Sequence, residues 1–338
     1  MHARTFIPAD LPPGSPLVVV LHGCTQDAAS YDHGSGWSEM AARHGFALLF
    51  PEQQRSNNPN LCFNWFSPAD SRRDEGEALS IRQMVDAVQQ AHQIDPARIF
   101  VTGLSAGGAM TSVMLATYPE LFAGGAIIAG LPYGVAASVP QAFEQMRGGA
   151  GISAALAQKV RQASTHTGQW PTISVWHGSA DATVSAENAR SIIEQWRPLH
   201  GADAAPREAT VVDGVPRRSW SDGQGREVIE EYIVAGMGHG TPLHPAGEGG
   251  CGTSGAYMLD VGISSTHHIC RFWGLLAASD ATRPNVQAAS AVSKVEGARP
   301  TVPALAQRLV AEPVAARPGQ VDVAKVIEDA LRSAGLMR

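Results

Sequence analysis

The stretch Ile99-Phe-Val-Thr-Gly-Leu-Ser-Ala-Gly-Gly-Ala-Met110 restricts this chain more than any other. A short apolar run reads as a buried strand, breaks at Gly103-Leu-Ser-Ala-Gly107, and resumes as a helix. A serine at such a strand-to-helix turn is held in strained backbone geometry with its oxygen exposed. Side chains two positions either side of Ser105 would collide with the turn, so Gly103 and Gly107 carry none. The first helical N–H groups lack intrahelical partners, and the helix dipole favours negative charge beside them. With 35 glycines in 338 residues, a bare Gly-x-Ser-x-Gly says little. The strand before it and the helix after it give the motif its force.

An activated serine needs a base and a group that orients the base, expected here in the order serine, acid, histidine. Thr172-Ile-Ser-Val-Trp-His177 reads as a buried strand ending in Gly178-Ser-Ala-Asp181. An aspartate just past the carboxyl end of a parallel strand lies on the edge where open α/β sheets carry their chemistry. Val228-Ile-Glu-Glu-Tyr-Ile-Val234 reads as a later strand, followed by Ala235-Gly-Met-Gly-His239-Gly240. The expected roles are Ser105 as nucleophile, His239 as base and Asp181 as the group that fixes the imidazole tautomer. Among 12 histidines, His177 reads as a strand-end residue and His22 as a loop brace. Asp203, Asp213 and Asp222 are reserve acids in a polar segment with weaker strand signals.

An oxyanion formed at Ser105 needs a second donor from the loop after an early strand. Leu17-Val-Val-Val-Leu-His-Gly23 followed by Cys24-Thr-Gln26 supplies that loop, so the expected donors are the backbone N–H groups of Cys24 and Ala106. Each such donor is worth on the order of 3 kcal/mol in a transition state. Trp65 and Phe66, close after Cys62, are expected to wall the site with apolar surface, with Tyr133 a further pocket residue.

His22-Gly-Cys-Thr-Gln26, Cys62-Phe-Asn-Trp-Phe66, Asp74-Glu-Gly-Glu77, Gly103-Leu-Ser-Ala-Gly107, His177-Gly-Ser-Ala-Asp181 and Gly236-Met-Gly-His-Gly240 together resemble the polyhydroxybutyrate depolymerase family of α/β-hydrolase esterases. The resemblance runs in family order from about residue 4 to about 276. It implies a mainly parallel, doubly wound sheet with helices on both faces. It also implies hydrolysis of short-chain poly(3-hydroxyalkanoate) or its oligomers through Ser105, Asp181 and His239, without metal or cofactor. The oxyanion cysteine of the family falls on Cys24. Related esterases of this fold remove feruloyl or acetyl groups from plant polysaccharides, so the fold alone does not name the ester.

The four cysteines permit three complete pairings. A Cys24–Cys62 bond would clamp two loops facing the substrate, and the resemblance points the same way. Cys251 and Cys270 are then left as a second pair. Disulfides favour an extracellular or periplasmic setting. Met1-His-Ala-Arg4 runs into Thr5-Phe-Ile-Pro8 without a visible signal, which pulls the other way and keeps four buried thiols as the alternative. A net charge of −6 argues against nucleic acid as a partner. No apolar run approaches the about 20 residues needed to span a bilayer. The partner expected is a polyester or oligoester substrate, and the sequence leaves the oligomeric state open.

Alternating signals predict strands near 17–21, 46–50, 98–102, 124–128, 172–177 and 228–234. Helices are expected near 72–91, 106–117, 186–196 and 266–276, with Asp74, Glu75 and Glu77 in a first turn favoured by the dipole and Asp86 a surface charge. Residues 131–170 read as an Ala- and Gly-rich insertion able to cover the site. The expected organisation is a catalytic domain over 1–276, an Ala/Pro-rich linker over 277–319 and an amphipathic helix within 320–338.

Overall fold

Every residue from Leu17 to Leu21 is buried in the computed structural model, as an uncharged strand covered on both faces must be. The structure describes residues 1–148, 155–207, 209–247 and 249–276, all within one compact unit. Its elements begin β1 (His2–Phe6), β2 (Leu17–Leu21), α1 (Ala28–Ser35), α2 (Trp37–His44), β3 (Ala47–Glu52), α3 (Gly76–His92), β4 (Ile99–Leu104) and α4 (Ala106–Thr117). They continue with β5 (Gly124–Ile128), α5 (Val139–Met146), α6 (Ala155–Ala163), β6 (Thr172–Gly178), α7 (Glu187–Trp196), β7 (Thr210–Val212), β8 (Val215–Ser221) and β9 (Glu227–Val234). The last are β10 (Thr241–Leu243), β11 (Met258–Asp260) and α8 (Ser265–Phe272).

Among the described residues one sheet has the order β1-β3-β2-β4-β5-β6-β9-β8-β7, and β10 pairs separately with β11. All neighbours from β3 to β9 are parallel. The flanking β1, β8 and β7 are antiparallel. Side chains alternate between two apolar layers. Leu17, Val19, Leu21, Ile99 and Val101 share one with Ile81 and Val85 of α3, Met110 and Val113 of α4, and Ile192 of α7. Val18, Val20, Phe100 and Trp176 share the other with Tyr31 of α1, Met40 of α2 and Ile269 of α8. Helices therefore cover both faces of an α/β-hydrolase sheet.

Winding reverses between β2 and β4, because the chain leaves β2 for β3 on one side and later returns as β4 on the other. Open α/β sheets bind and react at the carboxyl ends of strands flanking such a point. Helix α4, which follows β4, is buried at all of its positions. It packs against β2, β4 and β5 and forms the central support of the site.

Several elements depart from the sequence reading for local reasons. Helix α3 starts at Gly76 and not near 72, because Asp74 has φ +63° and Gly76 φ +50°. A Cβ on Gly76 would lie 2.2 Å from the Ala69 carbonyl oxygen. Helix α8 is capped by the Ser264 side chain, which accepts from His267 N, and it ends before Gly274 at φ +63°. Residues 131–170 include α5 and α6, and Leu156, Ala157 and Val160 of α6 are buried. The expected linker over 277–319 and helix within 320–338 lie outside the described residues. No helix among the described residues is long and apolar enough to cross a membrane.

Cys24 and Cys62 are joined, closing 38 residues. In the chain-entropy picture a loop of that size contributes about 4 kcal/mol. The expected Cys251–Cys270 bond does not form, and both are buried free thiols. The loop before α8 turns Cys251 Sγ toward Ser35 O and Ser264 Oγ, each at 3.8 Å. Cys270 lies fully buried on α8. Burial pushes the Cys251 thiol up to about 11 and raises that of Cys270 as well. An alkylating reagent applied without reductant should leave the native protein unlabelled. After denaturation it should label Cys251 and Cys270 alone, with the Cys24 and Cys62 peptides still linked by mass. A linked Cys251–Cys270 peptide would contradict this arrangement.

Candidate active site

Ser105 sits at φ 58° and ψ −117°, a conformation that β-carbon-bearing residues rarely adopt. Its N–H donates to Ile128 O at 2.9 Å, and its carbonyl accepts from Ala109 N at 2.9 Å. The glycines are required by the end of β2, which passes against the turn. A Cβ on Gly107 would lie 2.3 Å from Leu21 O and 2.5 Å from His22 O. A Cβ on Gly103 would lie 2.5 Å from the Gly107 backbone and 2.8 Å from Leu21 O. The elbow and the loop after β2 are thus packed backbone to backbone. Ser105 and His239 each retain some exposed surface.

Asp181 follows β6 and His239 follows β9, which is the parallel neighbour of β6. His239 Nδ1 lies 2.7 Å from Asp181 Oδ2. An ionised carboxylate only accepts, so the ring hydrogen sits on Nδ1 and Nε2 is left as a base. The other carboxylate oxygen, Oδ1, accepts from Thr183 N and Val184 N, each at 2.9 Å. Burial raises the Asp181 carboxyl, but hydrogen bonds from His177, His239 and Val184 N outweigh it and hold it well below the usual carboxylate range. The two loops are zipped together: Ser179 N donates to Val234 O, Ala180 N to Met237 O, and Gly236 N to Ser179 Oγ. Of the reserve acids, Asp203 is exposed, Asp222 pairs with Arg226, and Asp213 pairs with His268 at 2.8 Å.

The loop after β2 is braced from several sides. Half-buried Cys24 carries the disulfide to Cys62, and Thr25 N donates to Asn60 O at 2.7 Å. His22 lies with Nδ1 2.7 Å from Gly23 O and accepts from Gln53 N at Nε2, the bracing role expected of it. Burial lowers its pKa, which suits a neutral ring. Ala106, the other expected donor, is the first residue of α4.

Glu77 has a larger part than its position in a helix first turn suggested. It is 2% exposed. Its Oε1 accepts from Gln53 Nε2, Asn57 Nδ2 and Asn64 Nδ2, and its Oε2 from Asn64 N, all within 2.6–2.8 Å. Gln53 Nε2 also reaches Cys62 O. One buried carboxylate therefore gathers the whole 53–64 segment that carries Cys62. The polar cluster Gln53, Asn57 and Asn64 was the sequence signal for it. Glu75 and Asp74 stay exposed, and Asp86 pairs with Arg82 on the surface of α3. Trp65 meets Phe66 edge to face at 5.6 Å. Trp65 is 8% exposed and packs in the apolar layer under α3 and α4. Tyr133 is half-buried, its backbone tied to the Gln195 side chain through both N–H and C=O.

A sheet that reverses at β2 and β4, with a strained serine turn at the reversal, defines an α/β-hydrolase fold. An acetyl xylan esterase from Aspergillus awamori shares the fold at TM-score 0.66 and 24% identity, over 81% of this chain and 93% of that one. The esterase PHB depolymerase family model matches residues 6–212, and the chain belongs to that family. Poly(3-hydroxyalkanoate) depolymerase C of Paucimonas lemoignei is 47% identical over 273 residues, 80% of this chain and 66% of that protein. This chain thus spans just under two thirds of that relative. A probable acetylxylan esterase A of Aspergillus flavus is 28% identical over 71% of this chain and 79% of its own.

Burial pushes Glu77 up from 4.5 to about 7. Because the folded state binds this proton more tightly, its stabilisation is full below 4.5 and is lost as pH rises through about 7. Glu77→Gln does not titrate, so the difference in melting temperature between wild type and variant should shrink or reverse in favour of Gln as pH climbs through that window. A difference that is flat with pH would refute the assignment. Glu77→Ala removes the shared acceptor of four N–H groups of the 53–64 segment and should cost on the order of 1–3 kcal/mol, read by denaturant titration.

Proposed function

We propose that this chain is a serine esterase that hydrolyses short-chain poly(3-hydroxyalkanoate) or its oligomers, with Ser105, His239 and Asp181 as its triad. The observation that carries the triad is the 2.7 Å contact from His239 Nδ1 to Asp181 Oδ2, on the same sheet edge as the strained Ser105 turn. The likeness to a poly(3-hydroxyalkanoate) depolymerase supports the substrate class. In this reading Ser105 Oγ attacks the ester carbonyl and its proton passes to His239 Nε2. Asp181 stabilises the imidazolium that results. The N–H groups of Cys24 and Ala106 receive the oxyanion, and the leaving alkoxide takes the proton back from His239. Water then attacks the acyl-enzyme with His239 again as base, releasing the hydroxy acid and restoring Ser105.

Trp65, with Phe66 and Tyr133, would contact the acyl chain. The Cys24–Cys62 bond supports an extracellular or periplasmic setting. A feruloyl or acetylxylan esterase is the competing reading, favoured by the acetylxylan esterase relatives.

Hydrolysis of amorphous polyhydroxybutyrate and its oligomers, beside acetyl and feruloyl esters, separates the two. Faster release of hydroxy acids from the polyester supports the proposal, and preference for acetylated xylan overturns its substrate. Ser105→Ala should remove turnover on every ester, and Asp181→Asn should lower kcat by roughly 10⁴. Full turnover in either variant would mean that another residue does the chemistry. Trp65→Ala should slow oligomer hydrolysis more than that of a small activated ester. Equal loss on both would make the ring a scaffold for the triad and not a substrate contact.

A further inference from the structure

Beside the Asp181–His239 pair lies a second imidazole to which the triad assigns no role. His177 is the penultimate residue of β6, is 0% exposed, and pairs in register with Ile233 of β9. Its Nε2 is 2.8 Å from Val184 O and 3.4 Å from Asp181 Oδ2. A backbone carbonyl only accepts, so the ring hydrogen is on Nε2. That hydrogen closes the turn from Asp181 to Val184 whose N–H groups hold Asp181 Oδ1, and it faces the oxygen that receives His239 Nδ1. Nδ1 is buried without a partner among the described residues. The unpaired nitrogen is the cost of placing a rigid N–H donor at the Nε2 position.

We propose that His177 is a positioning residue for Asp181: it locks the Asp181–Val184 turn and steadies the carboxylate plane from which His239 takes its orientation. The proposal rests on the triad reading given above. His177 touches no solvent, so its loss should slow the chemical step without weakening substrate binding. Small misplacement of a group remote from the reacting atoms costs up to about 100-fold in rate.

The test is steady-state hydrolysis of a small activated ester by His177→Asn, His177→Gln and His177→Leu, each checked for folding by circular dichroism and melting. Asparagine is too short to reach Val184 O, whereas glutamine carries an amide N–H to nearly the Nε2 position. Asn and Leu should lower kcat by about 10- to 100-fold with KM within about twofold, and Gln should recover most of the loss. Wild-type kcat in folded Asn or Leu variants would overturn the proposal, as would equal loss in Asn and Gln. Ser105→Ala and Asp181→Asn run alongside: activity in those would sink the triad itself, whereas their inactivity with an active His177→Asn would sink only the role of His177. Should the substitutions prevent folding, nitrogen-15 NMR of histidine-labelled wild type still decides. The Nε2–H tautomer of His177 is required, and an Nδ1–H tautomer would overturn the assignment.

Discussion

The site depends on the near-contact of two backbones. The carbonyls of Leu21 and His22 pass so close to the helix that begins after Ser105 that a single added carbon at Gly107 would overlap them. That approach carries the serine turn and the loop of Cys24 as one unit. It also explains why the sheet reverses there: β2 and β4 must be parallel neighbours, with Leu21 opposite Gly103, for their following loops to meet. Interiors this tightly packed do not deform gradually, so the unit is present whole or is lost.

Two buried carboxylates flank that unit and obey opposite physics. Asp181 is met by two imidazoles and two backbone N–H groups and stays ionised. Glu77 is met by neutral amides, and burial, helped by the Asp70 carboxylate nearby, drives it toward neutrality. In the proposed triad the first would stabilise a developing imidazolium. The second organises a loop, and its bonds fasten the segment to which Cys24 is linked. The charge state of each carboxyl group is thereby set by what surrounds it.

Much of this was legible in the sequence wherever apolar runs were long. The six parallel strands and helices α4 and α7 stand within two residues of where periodicity put them, because burial on both faces leaves little freedom in composition. The margins were not legible. His2–Phe6 is an edge strand that pairs on one side only, and its half-exposed residues carry no apolar signature. β8 carries Arg217 and Arg218, whose charges are absorbed by Glu227, Glu230 and Glu231 of β9, a partnership visible only in register. Helices α1 and α2 are eight residues each and meet at Gly36, too short for a periodic pattern. Pairing Cys251 with Cys270 failed because an even count of cysteines says nothing about which way each sulfur points. Asp181 and His239 were singled out by strand-end position and meet at 2.7 Å, whereas Glu77 was underrated because a helix-start acid is usually solvated.

The two thiols left unpaired have a consequence for the bond that did form. Thiol–disulfide exchange begins with a thiolate, and a thiol whose pKa lies near 11 is ionised to about one part in ten thousand at neutral pH. Cys251 and Cys270 are also shut away from the Cys24–Cys62 loop by the core that raises them. Once the sheet and α8 have closed, the chain holds no competent internal attacker. The covalent link beside the serine turn is thus kept in its native pairing by the inertness of the remaining sulfurs, a protection against internal reshuffling that leaves exchange to external thiols.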